Sequence, residues 1–197
     1  MLNLAAGLDT RPYRLDLPPD LTWVEADLPK LLAEKTQLLA DQTPRCQLTR
    51  TAVDLADRVA RDGFFNDALD GADKALVLTE GLLMYLEERD VAALSDAIKR
   101  PEVTWWMLEV GFTGLKKMMN KKMAGILQNA PFKFAPENGL AYFEELGWRT
   151  VEVESLFEAA QRFRRLPMLM RPLTLLPPTD PRHPGRRPWS VVALLTH

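Results

Sequence analysis

Four carboxylates stand out by type and placement: Asp9, Asp27, Asp54 and Glu80 each lie at the end of a short apolar run or just beyond it. A carboxylate at the end of the second run can accept both hydroxyl hydrogens of a ribose. One after the third, Asp54, can accept from an exocyclic adenine amine while Leu55 packs on the ring. Asp9 and Glu80 could meet an ammonium or sulfonium, directly or through water. The first acid follows a small-residue turn, Ala5-Ala6-Gly7, which lets backbone approach a ligand closely because no bulk projects above it. The pattern suits a nucleoside ligand that carries positive charge and no phosphate. Three of the acids also have a plain structural role open to them, since Asp9, Asp27 and Asp54 all stand where they could cap a following helix, whereas Glu80, next to Gly81 at the mouth of a buried strand, stands where charge is rarely placed.

These acids must be positioned by strands, and the chain supplies them. Apolar runs alternate with helical-period segments, the signature of a mostly parallel sheet built from βα repeats. Strands are expected over Met1–Ala6, Thr22–Asp27, Gln47–Val53, Ala75–Thr79, Val103–Val110, Trp148–Val153 and Trp189–Leu195. Ala75–Thr79 is apolar almost throughout, as for a strand covered on both faces. Helices are expected over Leu28–Ala40, around Val91, Leu94 and Ile98, over Gly111–Gln128 with a methionine-rich face, from Pro136 or Glu137 to a cap at Gly147, and over Glu154–Arg165. In the first of these, Leu28, Leu31, Leu32, Lys35, Leu38 and Leu39 share one face. The proline-rich stretch Met168–Pro188 reads as an irregular surface connection before the last strand. With the strand-end acids lining one edge, the expected fold is an α/β doubly wound sheet, one domain over residues 1–197 that starts at its first core strand.

Composition narrows the chemistry. A net charge of −2 over 197 residues gives no electrostatic reason to expect nucleic acid or an anionic membrane as partner, and a small molecule is the expected one. Cys46 is the single cysteine, so an intramolecular disulfide and a cysteine metal cluster are excluded, and two histidines, His183 and His197, are too few for a histidine metal site or triad. No metal is expected. No apolar stretch reaches membrane-spanning length and no signal peptide is evident, so the expected compartment is the cytoplasm.

Asn3-Leu4-Ala5-Ala6-Gly7-Leu8-Asp9-Thr10-Arg11 and Val24-Glu25-Ala26-Asp27-Leu28-Pro29 with Lys35 resemble the leucine carboxyl methyltransferase family. The closer likeness is to its bacterial S-adenosylmethionine-dependent branch, which includes tetracenomycin-type polyketide carboxyl methyltransferases. Asp54-Leu55, Glu80-Gly81-Leu82-Leu83-Met84-Tyr85-Leu86 and Glu145-Leu146-Gly147-Trp148-Arg149 extend the resemblance along the chain. It implies a class I methyltransferase fold with a seven-stranded sheet whose last strand is antiparallel. It also implies S-adenosyl-L-methionine as cofactor, with Ala5, Gly7 and Asp9 in the turn passing its methionine part. Asp27 would then hold the ribose, Asp54 and Leu55 the adenine, and Glu80 would lie beside the cofactor. Ala5 stands where the family often has glycine. Family members usually carry a helical segment ahead of the first strand, so a shortened or incompletely started member is also expected.

A carboxylate acceptor is ionised at neutral pH and needs no general base, which fits a chain so poor in histidine. The expected reaction is O-methylation of a small-molecule, polyketide-like carboxylate, with a hydroxyl as second acceptor and with Tyr85 and Arg11 as candidates on the substrate side. Two other readings stay open. Asp27 follows Gly7 at the spacing of a dinucleotide-binding acid, which would make the chain an NAD(P)-dependent oxidoreductase, although the turn lacks most of the glycines that admit a pyrophosphate. A truncated, non-catalytic protein of the methyltransferase fold is the other.

Overall fold

The computed structural model describes residues 1–122, 131–166, 168, 179–185 and 189–197. Seven strands, β1 (Leu2–Leu4), β2 (Thr22–Asp27), β3 (Gln47–Ala52), β4 (Ala75–Thr79), β5 (Val103–Gly111), β6 (Arg149–Ser155) and β7 (Ser190–Thr196), form one sheet in the order β3-β2-β1-β4-β5-β7-β6. β1 pairs in parallel with β2 and with β4, β2 pairs in parallel with β3, and β6 with β7 is antiparallel. The strand order reverses between β1 and β4, which is where ligands of doubly wound sheets bind. The chain divides into two compact units, residues Met1–Leu82 with Ala92–Trp106, and Leu83–Val91 with Met107–His197.

The first unit holds β1 to β4 with the helices α1 (Arg11–Arg14), α2 (Pro29–Leu38) and α3 (Arg58–Leu69). β1, β2 and β4 are covered on both faces, with consecutive residues buried along each, whereas the edge strand β3 has no fully buried residue. Pro29 starts α2, where its missing N–H costs nothing. Asp57 caps α3, its side chain accepting from the N–H groups of Val59 at 2.8 Å and Ala60 at 3.1 Å. Beneath α2 lies a charge cluster. Glu25, fully buried on β2, takes Lys35 Nζ at 2.8 Å and Arg50 Nε at 3.0 Å, and Arg50 Nη2 donates to the Tyr13 hydroxyl at 2.6 Å. Burial, then the nearby Glu25 charge, pushes the Cys46 thiol above its ordinary value. At β4, Thr79 Oγ1 accepts from the buried Trp106 indole at 2.9 Å.

The second unit holds β6 and β7, α5 (Thr113–Lys122), α6 (Ala141–Glu145) and α7 (Leu156–Arg162). Ser155 caps α7 through Glu158 N–H at 3.3 Å. Phe134, Tyr142 and Phe143 form an edge-to-face aromatic cluster with centroids 5.1–6.1 Å apart. Gly139, at φ +58°, is required where it stands, because a Cβ there would lie 2.0 Å from the Pro181 carbonyl oxygen. The helix α4 (Glu88–Ile98) and the strand β5 each contribute residues to both units.

Several sequence expectations shift. β1 is only three residues long, because Ala5 leaves the extended region. On α2 only Leu32 and Lys35 are buried. Leu28 precedes the helix and Leu38 is its last residue, and both are exposed. Gly111 ends β5 instead of opening a helix, and the helix of the methionine-rich segment is described over Thr113–Lys122. Met123, Ile126 and Leu127 lie outside the described residues, as does most of the proline-rich stretch. The helix expected before Gly147 is cut to Ala141–Glu145 by the turn at Gly139, while Gly147 itself takes the left-handed cap conformation at φ +93°. α7 stops at Arg162, with Arg164 left-handed at φ +56°.

Candidate functional site

β3, β2, β1 and β4 are consecutive in the sheet and parallel wherever their pairing is described, so their C-terminal ends share one edge. Asp54, Asp27, Asp9 and Glu80 follow or end those four strands in the same order. All four belong to the first unit.

The centre is the turn after β1. Ala6 N–H still bonds to Ala26 O at 3.2 Å, which prolongs the β1–β2 ladder, and Asp9 N–H closes the turn on Ala6 O at 3.0 Å. Ala5 and Gly7 take left-handed conformations at φ +53° and +50°. That geometry aims the Gly7 N–H at Asp27, whose Oδ2 accepts it at 2.7 Å while Oδ1 accepts the Leu28 N–H at 2.7 Å. Asp27 is 7% exposed, so its carboxylate is fixed between two backbone donors, with lone pairs to spare for hydroxyl groups. A Cβ built on Gly7 meets nothing closer than Ala5 O at 4.0 Å, so the space above this glycine is open.

Asp9 is held differently. Its carboxylate takes Asn3 Nδ2 at 2.9 Å, the Arg11 N–H at 2.9 Å and Arg11 Nε at 2.7 Å. The cation at Asp9 is therefore supplied by the chain itself. Arg11 Nη2 reaches Glu80 Oε2 at 3.0 Å, which joins the β1 turn to the end of β4. The Glu80 side chain is 56% exposed, against 23% for Arg11 and 12% for Asp9. Asn3 did not stand out in the sequence. Its signal was a polar residue inside an apolar strand, and here it is buried against Asp9.

Asp54 lies exposed in the loop after β3, where its side chain accepts the Ala56 N–H at 2.9 Å. The helix cap is Asp57, so Asp54 orders the loop that leads into it. Leu55 is half-buried, and its carbonyl accepts from Arg61 Nη1 at 3.2 Å. Tyr85 belongs to the second unit, where its partly exposed ring packs edge-on against Phe132 at 5.4 Å.

A model of the leucine carboxyl methyltransferase family matches residues 1–99, the span that contains all four strand-end acids. The chain belongs to the leucine carboxyl methyltransferase family. Among its relatives, a protein of Parafrankia sp. (strain EAN1pec), named as an S-adenosyl-L-methionine-dependent methyltransferase, is 30% identical over 175 residues, covering 85% of this chain and 56% of that protein. The chain thus spans a little over half the length of that relative. The fold of this family member is shared with solved methyltransferases. A SAM-dependent methyltransferase of Anabaena variabilis superposes at TM-score 0.60 with 12% identity, over all of this chain and 76% of the other. The magnesium protoporphyrin IX methyltransferase of Synechocystis PCC 6803, solved with bound SAH, superposes at 0.54 with 11% identity, over 99% and 72%. These likenesses show the class I methyltransferase fold.

Proposed function

We propose that this chain is an S-adenosyl-L-methionine-dependent O-methyltransferase domain whose acceptor is a small-molecule carboxylate of polyketide-like type, with a hydroxyl as second choice. The observation that carries the reading is Asp27, a buried carboxylate at the switch-point edge, oriented by the Gly7 N–H beside open space. The residues fit the cofactor. Asp27 keeps free lone pairs for the ribose, Leu55 offers an apolar edge and Asp54 an acceptor for the adenine, and the open face of Ala5 and Gly7 admits a chain passing close to backbone. Asp9 acts through Arg11, because its own carboxylate is occupied by donors of the turn.

When bound, the cofactor supplies a methyl group on a positively charged sulfur. The protein's task is to align the acceptor oxygen with that carbon and to exclude water. An acceptor carboxylate arrives ionised, so no side chain has to remove a proton. Both histidines already have partners, His183 with Asp180 at 3.0 Å and His197 against the Trp148 ring at 5.2 Å. The net charge of −2 supports a small molecule as partner in preference to nucleic acid.

Calorimetric titration with S-adenosylmethionine, S-adenosylhomocysteine and NADH tests the cofactor. The first two should bind, and NADH bound in their stead would overturn the reading. Screening carboxylic acids and phenols by mass for the gain of one methyl group then tests the acceptor class, and methylation confined to hydroxyls would reverse the order proposed.

A further inference from the structure

We infer that the groove between α3 and the end of α4 is a binding site for a small polyanion, a molecule carrying two or more phosphate or carboxylate groups. The groove belongs wholly to the first unit, and the inference stands or falls independently of the cofactor reading.

The walls follow from helical spacing. Arg58, Arg61, Asp62 and Asn66 share one face of α3, and Ala93, Asp96, Ala97 and Arg100 recur at the same period along α4 and just past its end at Ile98. The two alanines keep the α4 wall low. The space left between the walls is about 600 Å³, enough for several anionic groups at once.

Charge in this groove is out of balance. With Lys99 included, four cations line it against two carboxylates, in a chain whose net charge is −2. Arg61 is only 6% exposed, and its Nη1 donates to the Leu55 carbonyl at 3.2 Å. Its Nε is buried without a hydrogen-bond acceptor among the described residues. The carboxylate it faces, Asp62, stands 3.9 Å away and is shared with Arg58 at 3.6 Å. A buried guanidinium N–H without an acceptor is an unmet demand for one. Arg58 and Arg61 also occupy the first turn of α3, where the helix dipole favours acids.

Arg100 adds a charge that is fixed and not cancelled. Its nitrogens donate to three neutral oxygens, Ala97 O at 3.2 Å, Asn66 Oδ1 at 2.6 Å and Asp62 O at 3.4 Å, and its guanidinium lies 5.5 Å from the centroid of the Phe65 ring. Those contacts hold the group still and leave N–H groups over. Guanidinium groups present such pairs of donors to phosphate and carboxylate oxygens in a fork. A ligand with two anionic groups can engage Arg100 with one and the Arg58–Arg61 turn with the other, and its attraction to the groove grows with its charge.

Calorimetric titration of the whole chain with inorganic phosphate, pyrophosphate and citrate, at about 0.15 M salt, tests the site. Pyrophosphate or citrate should bind once per chain, and the tighter of the two identifies the source of the charge. Inorganic phosphate should bind at least about tenfold more weakly, the loss of one charge-assisted hydrogen bond. Arg100→Met should weaken the better ligand about tenfold or more. Arg58→Met should weaken it about two- to fivefold, and Asp96→Asn should tighten it by a similar factor. Arg14→Met makes the same change in net charge at an exposed position outside the groove and should leave the affinity unchanged. Arg58 and Asp96 are largely exposed, so their variants keep the fold and the result does not hang on Arg100→Met, which also cuts three hydrogen bonds. Failure of both polyanions to bind at millimolar concentration overturns the inference, as does inorganic phosphate that binds as tightly as they do. Weakening by Arg14→Met equal to that by Arg58→Met, or an Asp96→Asn variant no tighter than wild type, overturns it as well.

Discussion

Replacing Ala5 with glycine should make the protein more stable, and making the converse change at Gly7 should weaken it. Ala5 sits at φ +53° and Gly7 at φ +50°, two left-handed residues in one turn of which only one is suited to that conformation. An L-residue held there costs about 1–2 kcal/mol. Ala5→Gly removes that strain and loosens the unfolded chain, which returns about 0.4–1 kcal/mol. The net gain is about 0.5–1 kcal/mol. Gly7→Ala should lose a similar amount through backbone strain alone, because the added Cβ meets nothing closer than Ala5 O at 4.0 Å. For a chain of this size each 1 kcal/mol moves the midpoint by about 2–4 °C, so the two variants should fall on opposite sides of wild type in a thermal scan. Urea unfolding should give the same order. A loss of stability in Ala5→Gly, or a neutral Gly7→Ala, would refute the argument that the turn holds unrelieved strain at residue 5.

Other perturbations have equally definite outcomes. Asp27→Asn removes the charge that fixes the Gly7 and Leu28 N–H groups and should cost about 1–3 kcal/mol in urea unfolding, with S-adenosylhomocysteine affinity falling at least tenfold in calorimetry. Glu25→Gln leaves Lys35 and Arg50 without their shared counter-charge and should cost about 3–5 kcal/mol, whereas Lys35→Met keeps the Glu25–Arg50 pair and should cost clearly less; the reverse order in denaturant melts would contradict the pairing. The Arg182 hydrogen bond, helped by Thr150, holds the Glu144 carboxyl below its usual value. Its stabilising contribution is therefore full above about pH 4.3 and is lost as the pH falls through the lower folded-state value. Glu144→Gln should flatten that part of the acid limb in stability measured from pH 6 downward.

The strands were the most legible part of the chain. Thr22–Asp27 and Ala75–Thr79 appear with the bounds expected, the second because a strand buried on both faces is apolar almost throughout, the first although Glu25 interrupts its apolar run. Helix ends were less legible. The heptad-like row on α2 extended through Leu28 and Leu38, but Pro29 sets the start, and neither terminal leucine faces the core. Capping was ambiguous for a local reason: Asp54 and Asp57 both precede α3, and only backbone geometry decides which of them meets its free N–H groups. The strand-end acids could be placed at one edge from the βα rhythm, yet what each acid touches could not. Asp9 and Glu80 were matched to a ligand cation by type, and the nearest cation is Arg11, brought between them by a turn and a strand pairing that residue types do not encode. Lys35 read as one more member of an apolar row, and it is buried because Glu25 lies beneath it.

Asp27 has one more consequence. With both oxygens gripped by backbone donors and little surface open to water, its rotamer is chosen before any ligand arrives. A hydroxyl pair that binds there avoids the immobilisation entropy of that side chain, about 0.5 kcal/mol or more. Glu80, largely solvated, has most of its rotational freedom still to lose. The edge is therefore graded in stiffness, rigid where β2 ends and compliant where β4 ends. A ligand spanning it would find the β2 end pre-shaped and would have to order the β4 end itself.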